Sequence, residues 1–477
     1  MKVAIIGGGM AGLSATYYLQ QLGQGAIDYV LIESSSQFGG KVSTIRESNF
    51  VVEGGPDSFH ALKTAAVDLC RALNLDEELI GTNTEARKVF VWSRGKLRRM
   101  PEGVMLIIPT KITPFLKSGL ISWPGKLRMG LDLFIPRRKD DSDVSLADFV
   151  RRRLGKEALD RIAGPMVAGI YVADADHMSL KSTFPRFLEM EKKYGSLLRG
   201  IITQKLETAR SKKKEKDSLN TPGKAPNSNF LTLRGGLQRL PEALVEKLNP
   251  RSLLLNRKVE TIRREGTTYD LTLDDGSHIK ADAVVFATPT YVTSDIVKGL
   301  DSKLSEKLKT IRYVSTATVS LGYRRREVEH SLSGFGFVVP RSEKRKIIAC
   351  AWSSTKFNWR APEGYVLVRA FVGGASAEEL AEQDEASLLQ MVREEMRDSL
   401  GINATPILNK VFRWRKGNPQ YDVGHEERVA EIDRLTTQHE GLYMAGAAFR
   451  GVGVPDCIAD GKRVAQLIAE KAKTLVK

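Results

Sequence analysis

The chain has 477 residues, enough for roughly two to four domains with sizeable apolar cores. Its 42% hydrophobic and 27% charged residues exclude a disordered chain. Three scattered cysteines (Cys70, Cys350 and Cys457) and six unclustered histidines supply neither a disulfide scaffold nor metal-ligand spacing, while a net charge of +16 suits an anionic ligand.

Lys2 to Ile6 reads as a short buried strand, and Gly7-Gly8-Gly9 suits a tight turn better than the middle of a signal helix. Nowhere do 18 apolar residues run together, so no membrane-spanning helix is predicted. The expected location is the cytoplasm, with weak contact to the inner face of the cell membrane left open. Gly7-Gly8-Gly9-Met10-Ala11-Gly12 contains G-x-G-x-x-G. A helical pattern follows over Ser14 to Gln21, then an apolar strand over Tyr29 to Ile32, closed by Glu33. Strand, glycine turn, helix, strand and acid in this register predict a dinucleotide site. Gly7 permits the turn, Gly9 lets the backbone approach a pyrophosphate, and Gly12 lets the helix lie close to the strand. The helix start offers free N–H groups to phosphate. Glu33, 21 residues past Gly12, suits ribose hydroxyls and repels a 2′-phosphate, which disfavours NADP.

Ala65 to Leu73 reads as a helix. Between Arg87 and Lys139 stand 13 basic residues against two acidic ones, Glu102 and Asp132, interleaved with Val104 to Ile108, Phe115, Leu116, Leu120, Ile121 and Trp123. Three readings of this segment stand together: a membrane-surface patch, a guide for an anionic substrate, and a solvated face over a buried one. Helices are predicted at Leu146 to Leu154 and Glu157 to Met166, within a helical region spanning about 96 to 204. Lys205 to Asn229, rich in Lys, Pro, Gly and Asn, reads as a mobile surface loop. Its lysines lack the aromatic or periodic company of a nucleic-acid site, so no nucleic acid is expected. Leu240 to Leu248 continues as a helix. Leu253 to Gly266 and Tyr269 to Leu273 read as strands closed by a turn at Asp274-Asp275-Gly276, and Ala283 to Ala287 as a buried strand. Thr316 to Tyr323, Gly334 to Val339, Ile347 to Trp352 and Tyr365 to Val372 predict a second, antiparallel sheet. Gln383 to Leu400 is a helix, with Leu388, Val392, Met396 and Leu400 on one face.

Beyond Glu33, the double glycine of Phe38-Gly39-Gly40-Lys41 and then Glu53-Gly54-Gly55-Pro56-Asp57-Ser58 resemble the flavin-containing amine oxidase superfamily. The form is closest to its protoporphyrinogen oxidase family, in particular the Gram-positive, coproporphyrinogen-oxidising branch. The resemblance extends to Gly164 to Asp176, Phe230 to Leu240, the Trp414 to Tyr421 stretch, and Gly441 to Gly446 followed by Gly451 to Ile458. It implies an α/β fold: a discontinuous Rossmann-like FAD-binding domain (1–56, 230–298, 411–477), a mixed-sheet substrate domain (57–95, 205–229, 299–410), and a helical insertion (96–204) with possible membrane-surface contact. FAD contacts are implied at Gly7, Gly9, Met10, Ala11, Gly12, Glu33, Ser34, Gly39, Gly40, Lys41, Gly54, Gly55, Pro56, Asp57, Val259, Thr288, Trp414, Gly446, Gly453, Val454 and Ile458. Cys457 reads as a small packed residue rather than a covalent flavin attachment. No obligatory side-chain acid or base is identified, so the catalytic residues stay unknown, and no metal is expected. The implied substrate is an anionic porphyrinogen, oxidised through six electrons with molecular oxygen as acceptor and hydrogen peroxide as by-product. Lys63, Arg98 and Tyr171 are its candidate contacts; Lys63 also reads as an ordinary surface lysine. A ferrochelatase is the implied transient partner. An amine or carotenoid oxidoreductase, or a non-enzymatic flavin protein, are the competing readings.

Overall fold

A computed structural model describes residues 1–85, 87–105, 108–109, 111–212 and 228–475. The chain divides into two compact units, Met1–Thr82 with Ala225–Tyr313 and Glu426–Lys477, and Asn83–Lys224 with Val314–His425.

The first unit is built on five parallel strands. In chain order these are β1 (Lys2–Ile6), β2 (Asp28–Ile32), β3 (Leu253–Leu254), β4 (Ala283–Phe286) and β5 (Leu442–Met444), arranged β3-β2-β1-β4-β5. A parallel sheet is covered on both faces, so its strands are apolar on both sides. Val3 and Ile5 enter one core with helix α1 (Met10–Gly23) and helix α2 (Val454–Leu475). Ala4 and Ile6 enter the other, shared with a three-stranded sheet of Val259–Glu265, Thr268–Leu273 and His278–Ala281. Gly276 takes φ +80 in the turn before the last of these, as expected of a glycine there. The single strand expected from Leu253 to Gly266 is instead two. Leu253–Leu254 joins the parallel sheet, and the chain then crosses to pair Val259–Glu265 elsewhere.

The second unit carries a seven-stranded sheet, in spatial order Leu408–Pro419, Tyr313–Arg324, Tyr365–Gly373, Ala349–Ala351, Gly336–Val338, Val89–Ser93 and Lys96–Arg99. It is mixed rather than antiparallel, because Gly336–Val338 pairs in parallel with Val89–Val91. Strand alternation again divides two cores. Val91, Val338 and Ala349 face helices including Leu146–Arg153, Gly164–Tyr171 and Pro185–Tyr194; Trp92, Phe337 and Cys350 face the helix Glu385–Leu400. The region expected to be helical from residue 96 thus begins as a strand, and its helices pack on the mixed sheet within one unit. The loop expected from Lys205 also starts later, since Leu197–Lys212 is one helix. The lysine cluster past it, and Leu106 and Ile107 of the apolar run, lie outside the described residues.

Much of the basic segment is structural. The Lys126 ammonium donates to the carbonyls of Leu116 (2.8 Å) and Ser118 (2.9 Å). Arg128 donates to the carbonyls of Arg151, Arg152 and Arg153, the last turn of the helix Leu146–Arg153. Asp132 and Arg153 are fully buried and paired at 3.1 Å, and Arg153 also reaches Glu191 at 2.7 Å. Ser196 Oγ donates to the other Asp132 oxygen at 2.6 Å. Removing one partner leaves a buried charge alone, which costs far more than the pair contributes. Arg153→Ala is therefore expected to lower stability by about 3–5 kcal/mol. Arg152→Ala, which removes the part-exposed partner of the same Glu191, should cost about 1 kcal/mol or less. Urea denaturation followed by circular dichroism distinguishes the two; equal, small losses would contradict this account.

Candidate functional site

The site grows from what the chain lacks at β-carbon positions. Gly7 has φ +103, and a Cβ there would stand 2.9 Å from the Ala287 carbonyl oxygen and 3.0 Å from Thr288 Cγ2. At Gly12 a Cβ would fall 1.9 Å from the Gly7 oxygen, so only glycine lets α1 lie against the turn it leaves. Gly9 is different: nothing stands within 4 Å of where its Cβ would be. The start of α1 has no side-chain cap and no acid in its first turn. Its free N–H groups and open flank suit an anion.

The double glycine closes over this turn. Gly39 N donates to the Gly8 carbonyl at 2.8 Å, and a Cβ on Gly40 would lie 3.1 Å from Gly9 Cα. Gly8 is tightly placed too, since a Cβ there would stand 2.4 Å from the Phe38 ring. Glu33 accepts from Gly8 N at 2.7 Å and Ser35 N at 2.8 Å, so its carboxylate holds the turn. Its remaining lone pairs leave room for the ribose contact expected of it. Ser34 beside it is exposed. Gly54 N donates to the Ser43 carbonyl at 2.7 Å, and a Cβ on Gly55 would fall 1.8 Å from the Lys41 oxygen. Glu53, without an assigned role, is buried; it accepts from Thr44 Oγ1 at 2.6 Å and Leu237 N at 2.9 Å, fixing the hairpin that precedes Pro56 and Asp57. Arg257 N donates to the Glu33 carbonyl at 3.0 Å, which brings the approach to Val259 alongside this acid.

The C-terminal segment joins from the other flank. A Cβ on Gly461 would fall 2.3 Å from the Ala11 oxygen, so α2 packs tightly on α1. Gly446 has φ +128, and its Cβ position lies 3.9 Å from Ala11 Cβ. Buried Asp460 accepts from Gly446 N at 2.9 Å and fixes that turn. Met10, Ala11, Val454 and Ile458 are buried in the core around it, and Cys457 packs against that core. Burial pushes the Cys457 thiol up to about 12, which keeps it protonated and unreactive at neutral pH. The geometry thus sets Gly7, Gly9, Gly12, Glu33, Gly39, Gly40 and Thr288 around one turn, with Gly446 beside Ala11. Trp414 belongs to the second unit, on the strand Leu408–Pro419.

The three substrate candidates are separate cases. Lys63 donates to both Asp456 oxygens at 2.7 Å. Arg98, in the second unit, donates to the Ser93 carbonyl at 3.3 Å within its own hairpin. Tyr171 stacks edge-on with Phe184 (centroids 5.4 Å apart) and is followed by Val172 at φ +56, a left-handed conformation that a β-branched residue rarely adopts.

The family of flavin containing amine oxidoreductases matches residues 10–469. The chain is 35% identical to coproporphyrinogen III oxidase of Bacillus subtilis (strain 168), over 96% of each chain. Protoporphyrinogen oxidase 2 of Arabidopsis thaliana is 26% identical, over 98% of this chain and 93% of the relative. A crystal structure of an Exiguobacterium sp. 255-15 protein superposes with a TM-score of 0.86 at 32% identity, covering 98% of this chain and 99% of that one.

The residues present fit a flavin nucleotide. Lys41 is half-buried, and its ammonium has no hydrogen-bond or ion-pair partner among the described residues. Burial lowers its pKa from 10.5 to about 8, partly offset by Cys457. An unpartnered cation next in sequence to Gly40 suits the phosphate charge of such a nucleotide. The sign follows from linkage. Between pH 8 and 10.5 the unfolded chain binds the lysine proton more readily, so the flavin-free protein gains stability as pH rises through that window. A phosphate group bound there would raise the pKa and remove the gain. Affinity for a flavin nucleotide should therefore fall about tenfold from pH 7 to pH 9, the ratio of protonated fractions at a pKa of 8. Flavin-fluorescence titration measures this. A Lys41→Gln protein should show weaker, pH-independent binding, and an unchanged pH dependence would refute the assignment.

Proposed function

The chain belongs to the flavin containing amine oxidoreductase family, and from that premise we propose that it is an FAD-dependent oxidase converting coproporphyrinogen III to coproporphyrin III in haem biosynthesis. Removing six electrons and six protons from the macrocycle takes three oxygen molecules to three of hydrogen peroxide. The observation that carries the reading is the meeting of two remote glycine segments: Gly461 admits the Ala11 oxygen, and the α1 start lies open at Gly9. Greater identity to the B. subtilis coproporphyrinogen oxidase than to the A. thaliana protoporphyrinogen oxidase supports the choice of substrate.

When bound, the flavin supplies hydride acceptance and oxygen-dependent reoxidation. The chain supplies position and charge. The uncapped start of α1 and Lys41 would hold the pyrophosphate, and Glu33, which holds the glycine turn, would also hold the ribose. Asp460 takes the Gly446 N–H and so fixes the turn before α2, whose start would leave backbone N–H groups for the flavin ring. Cationic Lys63 and Arg98 and the Tyr171 ring are the proposed substrate contacts. The released porphyrin would pass to a ferrochelatase as iron acceptor. Side-by-side kinetics test the reading: kcat/KM for reduced coproporphyrin should exceed that for reduced protoporphyrin severalfold, with no amine turnover. A preference for protoporphyrinogen would move the substrate to the plant type. Comparable peroxide from an amine would overturn porphyrinogen oxidation. Tightly held FAD with no turnover of any of these would favour a non-enzymatic flavin protein.

A second surface supports reversible contact with an anionic membrane. Trp123, Leu127, Leu131 and Phe134 fall on one side of the helix Trp123–Gly130 and the turn after it, and are 64%, 72%, 51% and 77% exposed. Lys111, Lys117, Arg137 and Lys139 are exposed in the same segment. Each cation near anionic lipid contributes about 1 kcal/mol, and the apolar groups add insertion. No helix among the described residues is long and apolar enough to cross a membrane. The protein should float with phosphatidylglycerol vesicles at low salt and be released at high salt; Trp123→Ala with Phe134→Ala should abolish flotation. No flotation at low salt would refute the contact.

A further inference from the structure

We propose that Asp456 is a positioning residue that occupies Lys63 in place of a substrate carboxylate and yields it when substrate arrives. This rests on the reading of the protein as an oxidase of a carboxylate-bearing porphyrinogen, with Lys63 as a substrate contact. Lys63 Nζ lies 2.7 Å from both Asp456 oxygens, with the lysine side chain 55% exposed and the aspartate 16%. The two partners are unequal. Asp456 lies in the first turn of α2, where the helix dipole favours an anion, and its Oδ2 also accepts from Gly453 N at 3.1 Å. That is the reciprocal half of a capping box, with an acid reaching back to the backbone at the helix entrance. Asp456 therefore remains satisfied when the lysine leaves. The Lys63 ammonium has no other partner among the described residues, so once released it is free to meet another anion. A propionate is the same chemical group as the aspartate it would replace, and the exposed lysine end is the accessible one.

Asp456 also shapes the turn it caps. A Cβ on Gly451, at φ +129, would stand 2.5 Å from Asp456 Cγ. The carboxylate thus has two separable duties, holding the Gly451–Gly453 turn and holding Lys63. Asn at this position keeps an oxygen for Gly453 N and loses the charge that holds the lysine.

The test is titration of the FAD-loaded protein with coproporphyrin, followed by porphyrin fluorescence. Asp456→Asn should bind roughly two- to fivefold more tightly than wild type, the range an exposed ion pair spans, and should retain its flavin. Asp456→Ala, which loses the turn as well, should retain flavin less well. Lys63→Gln should weaken porphyrin binding, and adding Asp456→Asn to Lys63→Gln should change nothing further. That non-additivity is the signature of exchange at one ammonium. A gain from Asp456→Asn that persists without Lys63 would mean that the aspartate only repels the ligand at a distance, and would overturn the proposal. So would no gain in a protein where Lys63→Gln still weakens binding. If Lys63→Gln binds as wild type, exchange at Lys63 is overturned; turnover of coproporphyrinogen by that variant would show the oxidase reading intact.

Discussion

Two backbones in the first unit approach each other more closely than any β-carbon allows. A methyl group at Gly12 would lie 1.9 Å from the Gly7 oxygen, and one at Gly461 would lie 2.3 Å from the Ala11 oxygen. Everything proposed for the site depends on these two absences. They seat the start of α1 over the end of β1 and set α2 against it, although almost the whole chain separates the two helices in sequence. The parallel order β3-β2-β1-β4-β5 then presents both helix entrances at the carboxyl ends of their strands, where open α/β sheets hold ligands. Glu33, Glu53 and Asp460 work in support: each carboxylate accepts from a backbone N–H in or beside a glycine turn. Three acids fixing three turns give the region its shape before any ligand enters.

The parallel sheet and its glycine turn were legible because each residue type there has one dominant reason to be present. Short β-branched runs read as buried strands, and glycines at 7, 9 and 12 in register with Glu33 read as a nucleotide turn. Gly461 was not legible. A lone glycine inside an apolar helix looks like any other small residue until the opposing Ala11 carbonyl is known. Asp456 and Asp460 were hidden likewise, since an acid in a first helical turn is ordinary in sequence and its partners are remote. The expected single strand from Leu253 failed because continuous β propensity cannot tell which of two sheets a segment joins. Val172 shows the limit most plainly: no valine announces a left-handed backbone, and only its neighbours in the fold hold it there.

The basic stretch from Arg87 to Lys139 was the least readable. Net charge invites an electrostatic reading, yet several of its cations serve the backbone. Lys126 satisfies two carbonyls at 2.8 and 2.9 Å, and Arg128 ends a helix. Asp132, one of only two acids there, is consumed by Arg153 in the interior. What remains for solvent is a smaller set of lysines and arginines beside an apolar helical stripe. A count of charges therefore overstates the field that a surface presents, and the distribution of their partners matters more.

The order in which the chain is made adds a consequence. The nucleus of the first unit, β1, α1 and β2, is complete within 32 residues, but β5 ends at Met444 and α2 at Leu475. A ribosome releases the amino-terminal half of the cradle hundreds of residues before the part that closes it. In the interval the face of α1 that Gly461 will cover stands exposed with other core residues. A nascent chain halted before α2 would therefore present an apolar helix face to the cell's chaperones.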